Sequence, residues 1–174
     1  MKRITALFNT AAVLLTLNVL LSSFANAADV ANAVDVEYRL PSSVSPTFQR
    51  IHLNVDPDKP SYSGTTEIDV VVNSPTQKVG FYQHDLSITS AALVNAEQSL
   101  SLSVMESDYD INWGTSENVI KPGNYTLKIA FEGNVNTSSD GMYLSRFEEN
   151  NYIFTQFEDM HARKAFPSFD EPIF

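Results

Sequence analysis

From Ile51 to Glu158 the chain is built of short runs in which apolar and polar residues alternate, with turn-forming residues between the runs. This alternation constrains the fold more than any other feature. Successive side chains of an extended strand point to opposite faces, so a period of two creates one apolar face and one polar face. Ile51, Leu53 and Val55 alternate with His52 and Asn54 ahead of Asp56-Pro57-Asp58. Tyr62, Thr66, Ile68, Val70 and Val72 share one face of SYSGTTEIDVVVNSP, within which Gly64 reads as a bulge or twist point. KVGFYQHDLSITSAALV, SLSLSVME and DYDINW follow, then YTLKIAFEG, entered through Lys121-Pro122-Gly123-Asn124 and left at Gly133. MYLSRF and NYIFTQF read as a hairpin turning around Glu148 to Asn151. No run between residues 28 and 160 offers a helical stripe of ten or more residues, so the prediction is all-β: an antiparallel sandwich or a curved, saddle-like sheet.

Ahead of this pattern stands an export signal. Lys2 and Arg3 form a basic start, the apolar run ALFNTAAVLLTLNVLL follows, and Ala25-Asn26-Ala27 makes a small-x-small cleavage site. The reading is a signal peptide over residues 1–27, a mature start at Ala28, and a flexible stretch over 28–36 before a domain over 37–174. Ala31-Asn32-Ala33 is a second cleavage option. Asn9, Thr10, Thr16 and Asn18 interrupt the apolar run, which is shorter than the roughly 20 residues a bilayer span needs, so no membrane span is expected after cleavage. The chain has no cysteine, so neither disulfides nor a lipid-carrying cysteine can contribute. Together these features suggest a periplasmic or secreted bacterial protein. Asn124-Tyr125-Thr126 and Asn136-Thr137-Ser138 match glycosylation acceptors, triplets common enough by chance to carry no weight.

Removing residues 1–27 takes away two cations and no acid, leaving 9 Lys and Arg against 21 Asp and Glu, a net charge of −12. Such a surface repels a phosphate backbone, which excludes nucleic acid and favours a cationic partner. His52, His84 and His161 lie far apart in sequence and none has His-Glu-x-x-His spacing, so no metal site is expected within the chain. No Gly-x-Ser-x-Gly elbow and no glycine-rich phosphate loop is present, and no catalytic residue is assigned. Asp170-Glu171-Pro172 places two acids on opposite faces of an extended segment and reads as a turn, with Arg163 as the charge partner. Glu148-Glu149 reads as a solvated hairpin tip.

The segment NYIFTQFE is different. A strand there puts Gln156 and Glu158 on one face, about 7 Å apart at about 3.3 Å of rise per residue, with Thr155 and Phe157 on the other. A carboxylate with a carboxamide beside it can hold an ammonium group: Glu158 supplies charge, and Gln156 an acceptor through its carbonyl. The competing reading is two solvent-facing polar residues on an edge strand.

TQFEDMHARKAFPSFDEPIF adds a resemblance. Thr155-Gln156-Phe157-Glu158, Ala162-Arg163, Phe166-Pro167 and Asp170-Glu171-Pro172 stand in the order found in zinc aminopeptidases of the aminopeptidase N family. Tyr38-Arg39-Leu40-Pro41, Tyr62-Ser63-Gly64 and Gly141-Met142-Tyr143 agree upstream, so the similarity covers residues 37 to 174. Ser168 departs from it, at a place where many relatives carry cysteine. The resemblance implies a saddle-shaped antiparallel β-sandwich, the N-terminal domain that leans over a separate zinc-containing catalytic domain. It also implies that Glu158 binds the free α-amino group of a peptide and that Gln156 lines the first side-chain pocket. In the whole family architecture zinc polarises the scissile carbonyl and activates water, with a glutamate as general base. The catalytic motifs of the family would follow residue 174, so the domain is expected to be incomplete at its C-terminal end and to need zinc only through a catalytic domain, here or on another polypeptide. Exposed apolar surface is then expected at Phe166, Phe169, Ile173 and Phe174. A non-enzymatic peptide- or protein-binding module, or a non-functional gene fragment, are the alternatives.

Overall fold

The computed structural model describes residues 39–172, all within one compact unit, Glu37–Phe174. The export signal, its cleavage site, the stretch 28–36, Tyr38, Ile173 and Phe174 lie outside the described residues. Among the described residues ten strands carry the fold: β1 (Val44–Asn54), β2 (Ser61–Val72), β3 (Thr76–Tyr82), β4 (Ser87–Val94), β5 (Ser99–Ser101), β6 (Ser103–Glu106), β7 (Ile111–Ile120), β8 (Gly123–Asn134), β9 (Gly141–Phe147) and β10 (Asn150–Gln156). The two short helical segments among the described residues are 3-10 turns at Asp108–Asp110 and His161–Lys164. No described helix is long and apolar enough to cross a membrane.

The strands form three antiparallel sheets: β1-β2-β8-β4-β5, β3-β7-β6 and the hairpin β9-β10. The first two face each other across the main core. Ile68, Val70 and Val72 of β2, Leu93 of β4 and Leu127 and Ile129 of β8 meet Val79 and Phe81 of β3 and Ile120 of β7. The period-two reading of β2 holds along its length: Tyr62, Gly64, Thr66, Ile68, Val70 and Val72 are all buried, and the residues between them are not. A second cluster, around Tyr62, Phe131, Met142 and Ala165, closes the space between the large sheet and the hairpin.

Several expectations need correction. Gly64 is no bulge, since its pairing with Leu53 and with Phe131 runs through without a register shift. It is glycine because the space is taken: a Cβ there would lie 2.6 Å from Phe131 Cζ and 2.9 Å from the His52 carbonyl oxygen. Register shifts fall elsewhere: between Thr76 and Lys78 of β3, between Ile88 and Ser90 of β4, and between Pro46 and Phe48 of β1, where an edge strand tolerates a residue that cannot donate. SLSLSVME is not one strand. Leu102 is buried at the point where the chain leaves the large sheet as β5 and enters the small one as β6.

Ile51 lies opposite the fully buried Thr66 yet is 41% exposed, because β1 is the sheet edge. Phe166 and Phe169 are not bare surface either. Both are half-buried, Phe166 against the second core cluster and Phe169 against the first and the Leu40–Tyr82–Ile111 cluster.

Candidate functional site

The hairpin β9-β10 carries the candidate residues. Gln156 is the last residue of β10 and pairs with Gly141, the first of β9. Gly141 has φ +63°, and a Cβ there would lie 2.8 Å from Lys164 Cβ, so the strand start and the 3-10 turn can approach only at glycine. Alternation along β10 turns Ile153 into the second core cluster and leaves Tyr152, Phe154 and Gln156 exposed. Tyr143 stacks on Phe154 with ring centroids 6.0 Å apart, which stiffens the open face beside Gln156.

Glu158 follows the end of the strand rather than belonging to it. Between the two polar residues, Phe157 turns inward and meets Phe166 edge to face at 5.7 Å. That contact aims Glu158 outward. The backbone then turns through Asp159 and Met160, and the His161 N–H closes onto the Phe157 carbonyl at 3.0 Å. The Glu158 carboxylate is exposed and makes no hydrogen bond or ion pair among the described residues. The contact between the two residues is made by the Glu158 backbone and the Gln156 side chain. The Gln156 carbonyl oxygen accepts the Glu158 backbone N–H at 3.2 Å, which uses one of its two lone pairs.

The turn behind Glu158 is tied down on several sides. Tyr62 donates its hydroxyl to the carbonyl of Ala165 at 3.0 Å and to that of Lys164 at 3.2 Å. Burial pushes the Tyr62 phenol up to about 12. Lys164 pairs with Asp140, and that hydrogen bond, followed by one from Ser138, holds the Asp140 carboxyl below its ordinary range. Arg163 is 7% exposed. Its Nε and Nη2 reach the same oxygen of Asp170 at 3.1 and 2.8 Å, and its guanidinium carbon lies 4.2 Å from the centre of the Tyr82 ring.

The two neighbouring acids Asp170 and Glu171 work in different directions, as alternation in an extended segment requires. Asp170 takes Arg163, whereas Glu171 is buried and accepts the Tyr82 hydroxyl at 2.5 Å and the Leu40 N–H at 2.8 Å. Burial, and after it the Glu171 bond, pushes the Tyr82 phenol above its ordinary value. The roles of Tyr62, Asp140 and Glu171 were not legible beforehand. For Glu171 the signal was the close spacing of charged and aromatic residues in the last twenty positions; Tyr62 and Asp140 lie outside that stretch.

Of the histidines, His52 is exposed on β1, and His84 lies between Asp110 at 2.8 Å and Asp85 at 3.2 Å. The ring Nδ1 of His161 is buried without a partner among the described residues. Among the described residues no group of three or more histidine or acidic side chains is placed to hold a metal ion.

Comparison with known proteins puts this arrangement in context. The family profile of the peptidase M1 N-terminal domain matches residues 44–174. Puromycin-sensitive aminopeptidase of Caenorhabditis elegans is 32% identical over 145 residues, covering 78% of this chain and 15% of that protein. Endoplasmic reticulum aminopeptidase 1 of Homo sapiens is 31% identical over 147 residues, 78% of this chain and 16% of the relative. Glutamyl aminopeptidase of Bitis rhinoceros is 29% identical over 163 residues, 87% and 17% respectively. The chain thus spans about one sixth of the length of these relatives. The match runs through the sandwich, the β9-β10 hairpin and the Arg163–Asp170 turn alike, and the chain belongs to the peptidase M1 N-terminal domain family, within the M1 aminopeptidases.

Proposed function

We propose that this chain is the substrate-binding N-terminal domain of an exported zinc aminopeptidase, in which Glu158 anchors the N-terminal ammonium of a peptide and Gln156 stands beside its first side chain. The observation that carries the reading is the Glu158 carboxylate, unpaired among the described residues and exposed just past the end of a strand, next to Phe157, which is half-buried against the second core cluster. A carboxylate held this way binds a primary ammonium through charge-assisted hydrogen bonds without first giving up another partner. An anchored ammonium also fixes how far the peptide reaches. Only the first peptide bond is then presented to cleavage chemistry, which accounts for removal of single N-terminal residues.

The side chains described here do not fit a zinc site, so no cleavage step is assigned to them. In this reading the metal is held by a catalytic domain and the present chain binds without cutting. The basic start, apolar run and Ala25-Asn26-Ala27 support delivery outside the cytoplasm.

The test compares binding of a free-amine tripeptide with its N-acetylated form. Glu158→Ala should weaken the free-amine peptide by about ten-fold or more, the worth of about 1.5–3 kcal/mol for a hydrogen bond to a charged group, and leave the acetylated one nearly unchanged. Equal losses for both peptides would count against the ammonium role.

A further inference from the structure

His84 stands in the loop between β3 and β4 with a carboxylate at each ring nitrogen. Nδ1 lies 2.8 Å from Asp110 Oδ1, and Nε2 lies 3.2 Å from Asp85 Oδ2. A neutral imidazole carries one N–H, so between two carboxylates its bare nitrogen would meet an anionic oxygen lone pair to lone pair. Only the imidazolium donates at both ends. The arrangement found is therefore that of the protonated ring.

The two contacts are not equally anchored. Asp110 is tied by Arg163 Nη1 at 3.5 Å, and its carbonyl accepts the Gln83 N–H at 3.0 Å, while the Arg163 carbonyl accepts the His84 N–H at 2.8 Å. Asp85 has a side chain 90% exposed and a backbone at φ +58°, a conformation that aspartate tolerates but does not prefer. His84 and Asp85 border a cleft whose other charged groups are Asp140 and Lys164. Those two pair with each other, and Asp140 also feels the charge of His161 when that ring is protonated.

We propose that His84 is a proton-operated catch on Asp85: the imidazolium holds both aspartates, and loss of its proton releases Asp85 while Asp110 keeps its bond. The neutral ring keeps its remaining hydrogen on Nδ1, because Asp110 is the closer and better anchored acceptor. Asp85 then faces a lone pair and turns to water. The rim of the cleft changes, and the turn around Arg163 stays in place. The device is independent of the ammonium reading of Glu158.

The test is NMR on the isotope-labelled full chain at about pH 5 and about pH 8, a range across which ordinary histidines titrate. It follows the His84 ring and the backbone coupling of Asp85, which reports φ. In wild type the ratio of held to released Asp85 should fall by about two- to fivefold as the ring loses its proton, the range an exposed ion pair gives. His84→Gln removes the titrating ring, so Asp85 should read the same at both pH values. Asp85→Asn should stay held at both, since a carboxamide accepts from the imidazolium and, turned over, donates to the bare Nε2.

A wild-type Asp85 that does not move while the His84 ring titrates overturns the catch, as does a ring that keeps one state across the range. Movement that persists in His84→Gln assigns the response to another titrating group and overturns the role of His84. Movement in Asp85→Asn as large as in wild type overturns the lone-pair argument, and the proposal with it.

Discussion

Replacing Arg163 by methionine tests what holds the turn behind Glu158 in place. Methionine preserves much of the unbranched stem and removes the guanidinium, so the loss is of charge and hydrogen bonds more than of packing. Arg163 directs two N–H groups at one Asp170 oxygen, at 3.1 and 2.8 Å, and stacks on Tyr82 at 4.2 Å. A hydrogen bond involving a charged group contributes about 1.5–3 kcal/mol, and a guanidinium over an aromatic ring about 0.5–2 kcal/mol. Two effects act against that sum. The variant no longer has to dehydrate a cation, and Asp170 and Asp110, the latter 3.5 Å from Arg163 Nη1, with side chains 36% and 31% exposed, can recover water.

The expected cost is therefore about 2–3 kcal/mol, below the 3–5 typical of breaking a fully buried pair. Urea unfolding followed by the single tryptophan, Trp113, reads it directly. At a slope of about 1–3 kcal/mol per molar urea the midpoint should fall by about 1 M or more. Asp170→Asn, alone and combined with Arg163→Met, should give a coupling of about 1–2 kcal/mol. A midpoint shift under about 0.3 M with a coupling below about 0.3 kcal/mol would show that the turn is held by packing alone and refute the reasoning.

Other outcomes follow from the same structure. Tyr62 is an acid whose folded pKa, about 12, lies above its ordinary value of 10.0, so its contribution is fully present below pH 10 and is lost as pH rises toward 12. Wild type should lose about 2–3 kcal/mol more than Tyr62→Phe across that window in parallel urea titrations, and identical alkaline limbs would sink the assignment. Gly64→Ala drives a methyl to within 2.6 Å of Phe131 and 2.9 Å of backbone, and should cost about 1–3 kcal/mol by thermal or urea unfolding. The buried Ser168 hydroxyl has no partner among the described residues, so Ser168→Cys should stabilise by about 1 kcal/mol, seen as a higher midpoint; destabilisation would mean the hydroxyl is satisfied in solution.

How much of this was legible in advance differs from one residue to the next. β2 could be read position by position, because a two-sided strand between two others reports its burial in its own sequence. The hairpin at Glu148 was legible too: Glu148 adopts φ +54° between two alternating runs. SLSLSVME misled because alternation says nothing about which sheet a strand joins. Phe166 and Phe169 misled because a phenylalanine near a chain end looks the same in sequence whether or not a core is waiting beneath it. At the site, strand spacing was read two residues too far: β10 ends at Gln156, and the Gln156 amide is turned by a backbone N–H freed where the strand stops.

What the sequence determined by itself is the set of faces. A period of two in side-chain direction is a property of the extended backbone, and it placed Ile68, Val70 and Phe157 inward and Gln156 outward before any neighbour was known. What only the tertiary structure decided is which inward face is covered and which charges meet. Ile51 stays 41% exposed at the sheet edge while Thr66, its partner across the ladder, is fully buried. Arg163 finds Asp170 seven residues on, and Glu171 finds Leu40 131 residues away. Such contacts depend on how sheets stack and where the chain returns, and local periodicity holds no record of either.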